Sequence, residues 1–146
     1  MFTGKIMVRR LRPSEVSQTV VDDINHLLRS QHSKANTVDE ESLLAHMKRS
    51  QLVVAWNDDG RILAMGVKVR TYAVSHSFAS IHNLIVRNGC DALSLGKRIV
   101  DLLIEEAAGI EFIEASAWPE DLGTIDILTI AGFLPRSKLQ YRLKRS

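Results

Sequence analysis

The sequence predicts an α/β fold with a mixed sheet and helices on both faces. Two observations carry this. Segments with strand-like alternation and segments with apolar residues three and four apart follow one another in the order β, α, α, β, β, β, α, β, α, β. Hairpin signals fill the first half, and a strand-helix-strand crossover follows it, so antiparallel and parallel pairing meet in one sheet. The chain has 146 residues, enough for one domain with a substantial core.

Each element has its own signal. Lys5 to Leu11 alternates as a strand and is broken by Arg12-Pro13-Ser14. Ser14 can cap a helix that runs to about Arg29, with Val16, Val20, Ile24, Leu27 and Leu28 as its apolar stripe. The polar segment SQHSKANTVD is a loop, and Thr37 or Asp39 caps a short helix that turns Leu43, Leu44 and Met47 inward. Gln51–Trp56 and Arg61–Thr71 form a hairpin turning at Asp58-Asp59-Gly60. After a turn at Ser75-His76-Ser77, Phe78–Arg87 is the next strand. A helix opens at about Ser94, runs to Ala108 and ends at Gly109. Glu111–Ala117 is a buried strand, Pro119 starts the last helix, Gly132 closes it, and Lys138–Leu143 alternates as a final strand.

Composition narrows the function classes. With 45% hydrophobic and 25% charged residues, the chain has the makeup of an ordinary globular protein. No apolar run approaches the ~20 residues of a membrane span, and MFTGKIMVRRLRP has no long apolar signal-peptide core, so a cytoplasmic location without membrane association is expected. Cys90 is the one cysteine, which excludes an intrachain disulfide and a cysteine-rich metal site. His26, His32 and His46 are too scattered for a metal site, and no metal is expected. The net charge of +2 weighs against a dedicated nucleic-acid binder, although basic residues cluster at both ends.

The most informative stretch is SIHNLIVRNGCDALSLGKRIVDLLIEEAA, residues 80–108. A strand, a short loop at Asn88-Gly89 and a helix N-terminus make a ready phosphate site, because the first N–H groups of a helix lack internal partners and the dipole favours an anion. Gly96, without a Cβ, would let a ligand approach the backbone. This stretch resembles the acetyl-CoA-binding segment of the GNAT N-acetyltransferase superfamily: a strand ending in Val, a Pro two residues on, then Arg/Gln-x-x-Gly-x-Gly/Ala opening a long helix. Val86 takes the Val position, Asn88 the Pro, Asp91 the Arg/Gln, Ser94 the first Gly and Gly96 the last Gly/Ala. The spacing is intact, while Asp91 and Ser94 replace two signature residues. KIMVRRLRPSEVSQTVVDDINHLL, LVVAWNDDGRILAMGVKVR and AGFLPRSKLQYRLKR resemble the family's opening, hairpin and closing segments, in order and over nearly the whole chain.

The resemblance implies a single domain over residues 1–146, with a mostly antiparallel sheet of about six or seven strands. It implies acetyl-CoA as co-substrate and an amine as acceptor. The strand ending at Val86 should splay from the strand at 111–117, so that backbone groups of Leu84, Ile85 and Val86 pair with pantetheine. Backbone N–H groups across Asp91, Ala92, Leu93, Ser94, Leu95, Gly96 and Lys97 should hold the pyrophosphate. An Asp91 carboxylate facing a pyrophosphate would repel it; alternatively it points outward and caps the helix. Ser94 either donates its hydroxyl to phosphate or serves as a plain N-cap. Where the family often has a carboxylate base, this chain has His82 and Asn83, and His82 is the candidate base, or a strand residue that only hydrogen-bonds. The family's Tyr acid falls at Leu128; Tyr72 and Tyr141 lie elsewhere. Ser116 and Trp118 end the strand before the last helix, near the acceptor. Two readings follow: direct acetyl transfer in a ternary complex, or a GNAT-fold binding or regulatory protein whose catalysis has weakened. An exposed edge strand would allow a homodimer.

Overall fold

The computed structural model describes residues 5–72, 77–107, 109–136 and 143–144. Five strands lie side by side in chain order: β1 (Met7–Arg10), β2 (Ser50–Trp56), β3 (Ile62–Tyr72), β4 (Ser77–Val86) and β5 (Phe112–Ala115). The first four pair antiparallel, and β5 joins β4 in parallel. The mixed, mostly antiparallel sheet is the expected one, and five strands of it fall among the described residues. Residues 138–142 of the sixth expected strand lie outside the described residues.

Among the described residues four helices cover the sheet: α1 (Gln18–Gln31), α2 (Glu40–Met47), α3 (Ala92–Glu105) and α4 (Leu122–Ile130). Alternation along the strands sends neighbouring side chains to opposite faces. On one face Leu52, Val54 and Ile62 meet Val20, Ile24 and Leu27 of α1 and Leu43 of α2. On the other, Val53, Ala55 and Ile81 meet Leu95, Ile99 and Leu103 of α3 and Ile127 of α4. Each fully buried Leu or Ile stabilises the fold by roughly 1.5–3 kcal/mol, so both layers are firmly held.

Helix starts differ from the sequence expectation for local reasons. Ser14 lies in a 3-10 turn at Pro13–Glu15, and Ser17 is the cap of α1, accepting from Val20 N at 3.3 Å. Asp39, not Thr37, caps α2 by accepting from Ser42 N at 2.7 Å. Pro119 falls in a turn ahead of α4, whose cap is Asp121. Gly132 closes α4 with φ +96°, as its residue type suggests.

Two buried charges tie the layers together. Asp23 of α1 is 2% exposed and receives Arg61 Nε at 3.0 Å, Arg61 Nη2 at 2.5 Å and Ile62 N at 3.1 Å. Burial pulls its pKa up, yet these donors, with Arg87 at 3.6 Å, hold it below the ordinary carboxylate value. Lys68 of β3 donates to the carbonyls of Leu103 at 2.8 Å and Glu106 at 3.0 Å, closing the C-terminus of α3. Burial lowers the pKa of Lys68.

Candidate functional site

The site begins with a defect in β4. Met65 of β3 pairs with Ile85 and Val67 with His82, so Asn83 and Leu84 together oppose Gly66 alone. This is a β-bulge, and Asn83 sits in it with φ +51°. Asn tolerates this left-handed conformation better than a branched residue would. Gly66 is the natural partner, because a Cβ there would come within 2.7 Å of Ile99 Cγ2 of α3.

The bulge coincides with the end of β4–β5 pairing. The parallel ladder runs from Phe78↔Phe112 to Ile81↔Ala115 and stops. β4 continues to Val86 against β3 alone, so the expected splay is present. Arg87 N donates to Leu63 O at 2.7 Å. Antiparallel ladders alternate, so residues 85 and 87 address β3 while the backbone groups of Leu84 and Val86 face the gap. Ile85 therefore differs from its expected part: its side chain joins the α1 core and its backbone is committed to β3.

A cleft of about 840 Å³ opens at the splay. Ile81, His82, Asn83 and Leu84 form one wall, Ala115 to Trp118 the other, and Ser30, Gln31 and His32 at the end of α1 close a side. A smaller groove continues along Leu84, Ile85 and Val86 to Asn88 and Ala92, at the start of α3. Ser30, Gln31, Leu84, Asp121 and Thr124 line both.

The helix start corrects the phosphate window. α3 begins at Ala92, two residues before the expected Ser94, because Asp91 is the N-cap and accepts from Ser94 N at 3.1 Å. Ser94 is thus the third residue of the helix and not its cap. The N–H of Leu95 is already bonded to Asp91 O at 3.0 Å, and those of Gly96 and Lys97 lie deeper in the helix. The N–H groups of Ala92 and Leu93, in the first turn, have no partner within the helix. Gly96 also has another reason: a Cβ there would lie 2.4 Å from Ile127 Cδ1, so its smallness serves the packing of α4 on α3. Leu95 is a core residue, and Lys97 pairs with Asp101 at 2.7 Å.

Electrostatics around the groove are not those of a strong anion site. Asp91 stands on the α3 N-terminus, and Asp121 caps α4 beside the groove, accepting from Thr124 N at 3.1 Å and Thr124 Oγ1 at 2.7 Å. Nearby cations are engaged elsewhere: Arg98 donates to Ile6 O at 3.1 Å, and Arg87 to Ile62 O at 3.3 Å.

His82 is exposed and lines the cleft at the bulge. Leu128, at the family's acid position, is buried on the cleft wall, and the adjacent Thr129 hydroxyl is bonded to Ile125 O at 2.8 Å. Ser116 and the 69%-exposed Trp118 line the cleft as expected. Tyr141 and His76 lie outside the described residues. Cys90, beside the loop, has its thiol pKa raised by burial, against a nucleophilic role. Among the described residues no cluster of His, Cys, Asp or Glu could hold a metal, and no helix is long and apolar enough to cross a membrane.

No protein-family model and no curated protein matches the chain. Solved structures do. The chain superposes on an aminoglycoside acetyltransferase from an uncultured soil metagenomic sample with TM-score 0.80 and 13% identity, covering 97% of this chain and 96% of that one. An acetyltransferase of Trypanosoma brucei gives 0.75 at 18% identity, over 97% and 100%. A transcriptional regulator from Bacillus halodurans gives 0.76 at 15% identity, over 97% and 100%. The chain has the fold of the GNAT superfamily.

Proposed function

We propose that the protein is an N-acetyltransferase that moves an acetyl group from acetyl-CoA directly to an amine within a ternary complex. The observation that carries this reading is the gap between β4 and β5, which leaves the backbone of Leu84 and Val86 without a neighbouring strand and leads to the start of α3. Extended backbone is the natural partner for the amides of a pantetheine arm. The remaining N–H groups of Ala92 and Leu93 suit a phosphate oxygen.

His82 is the proposed base. It takes a proton from the amine, directly or through one water, as the amine nitrogen attacks the thioester carbonyl. The new C–N bond forms, the C–S bond breaks, and the departing thiolate takes a proton. Leu128 cannot give that proton, and in this proposal solvent in the open cleft supplies it. Dependence on acetyl-CoA fits a cytoplasmic protein.

A second reading has its own support. The Asp91 carboxylate seated on the α3 N-terminus and the apolar Leu128 favour a GNAT-fold binding or regulatory protein with weakened catalysis. An amine screen that detects released CoA thiol separates the two. The acetyltransferase reading expects turnover with some amine, a loss of ~100-fold or more in His82→Ala, and nearly unchanged acetyl-CoA affinity. Tight acetyl-CoA binding with no turnover of any amine would favour the second reading. Unchanged turnover in His82→Ala would remove the histidine from the mechanism.

A further inference from the structure

The bulge has two sides, and His82 and Asn83 line a second cavity besides the cleft. This cavity, about 600 Å³, lies between α1, α2 and the sheet. Its walls include Leu28, Leu43, Met47, Met65, Val67 and Val69. Among the described lining residues there is no carboxylate, and the one charged side chain is Arg49, which is exposed. The volume is that of a small-molecule site.

We infer that this cavity is the acceptor site and that it takes a primary amine with a single apolar body, not a polyamine. The inference rests on the acetyltransferase reading of the adjoining cleft. Three arguments carry it. The cavity reaches the same His82 that faces the cleft, so an amine held here presents its nitrogen to the proposed base. Its walls reward an apolar body through the area removed from water. They penalise a second ammonium, which would lose water and find no carboxylate in return, whereas hydroxyls could meet Asn36, Thr37, Ser42 and Ser50. Arg49 adds repulsion against a polycation.

The test uses ethylamine, butylamine, hexylamine and spermidine as probes, in two assays. Ligand-observed NMR reads binding to the intact protein without acetyl-CoA, and thiol release reads transfer with it. Affinity should rise by up to about fourfold for each methylene that is buried, so hexylamine, four methylenes longer, binds between tenfold and about 250-fold tighter than ethylamine, and spermidine does not saturate. Val67→Phe should abolish the advantage of hexylamine, because Val67 pairs with His82 and lines the cavity. Met47→Ala, at a half-buried position that tolerates truncation, should lower it severalfold and covers the event that Val67→Phe fails to fold. A flat chain-length series, spermidine binding as tightly as hexylamine, or wild-type hexylamine affinity in the folded variants overturns the inference. Length-dependent binding without thiol release from any probe overturns the acceptor role of the cavity and favours the binding-protein reading. Thiol release that is indifferent to chain length overturns the acceptor assignment and leaves the acetyltransferase reading standing.

Discussion

Asp91→Asn separates two effects that the α3 N-terminus combines. Asp91 Oδ1 accepts from Ser94 N at 3.1 Å, and Asn caps a helix about as well as Asp, so the variant keeps the cap and removes the charge. The free N–H groups of Ala92 and Leu93 lie in the same turn, which puts a phosphate bound to them about 5 Å from that carboxylate. One unit charge on the phosphate then costs about 0.8 kcal/mol at the dielectric of water and about 3 kcal/mol at an effective value of 20. Asp91 is exposed, so the lower end applies. Acetyl-CoA should therefore bind Asp91→Asn about fourfold or more tightly at low ionic strength, with the gain shrinking as salt is added. Titration calorimetry at two salt concentrations measures both. Unfolding must also be recorded, because the lost charge–dipole interaction costs about 0.3–1 kcal/mol. An unchanged or weaker affinity in a folded Asp91→Asn protein would refute the idea that this carboxylate opposes the co-substrate.

Three further expectations concern the scaffold. Asp23 has a lowered folded pKa, so its stabilising contribution is present above the ordinary carboxylate range and is lost as pH falls through the folded value. Wild-type stability should fall below about pH 4, and Asp23→Asn should cost about 1–3 kcal/mol at pH 7 and flatten that acid limb, as read by urea unfolding across pH. Gly96→Ala should destabilise by about 1–3 kcal/mol through overpacking against Ile127, partly offset by about 1 kcal/mol of helix propensity, and Ile127→Val in the same chain should recover part of the loss. Asn83→Val should cost about 1–3 kcal/mol through its left-handed backbone and weaken acetyl-CoA binding, while Asn83→Gly keeps both, as thermal unfolding and calorimetry would record.

The order of elements was legible because each carries a local signal: the hairpin turn ending at Gly60, the apolar stripe of α1, the Asn-Gly turn before α3. The splay of β4 from β5 was reached only through the family resemblance, since nothing local states where a parallel ladder stops. The bulge at Asn83 was missed, although an Asn in the interior of a strand is a fair marker of it. Helix starts were displaced because several competent caps stand close together: Ser14 and Ser17, Thr37 and Asp39, Asp91 and Ser94. Which one caps depends on where the preceding chain leaves the sheet. Gly96 looked like a ligand contact because close approach to a ligand and close approach to Ile127 ask the same of the sequence. The lower wall of the cleft, from Ser30 to His32, had no signal at all, because it arises from tertiary placement of the end of α1.

The central claim is that the gap beside β4 receives the pantetheine arm of acetyl-CoA and the start of α3 its phosphates. Amide chemical shifts followed by NMR during an acetyl-CoA titration test it most directly. The account predicts saturable shifts at Leu84, Val86, Ala92 and Leu93, with smaller ones at Ile85, whose backbone is committed to β3. Saturation with no change at Leu84 and Val86, or shifts confined to the cavity beneath α1 and α2, would contradict it.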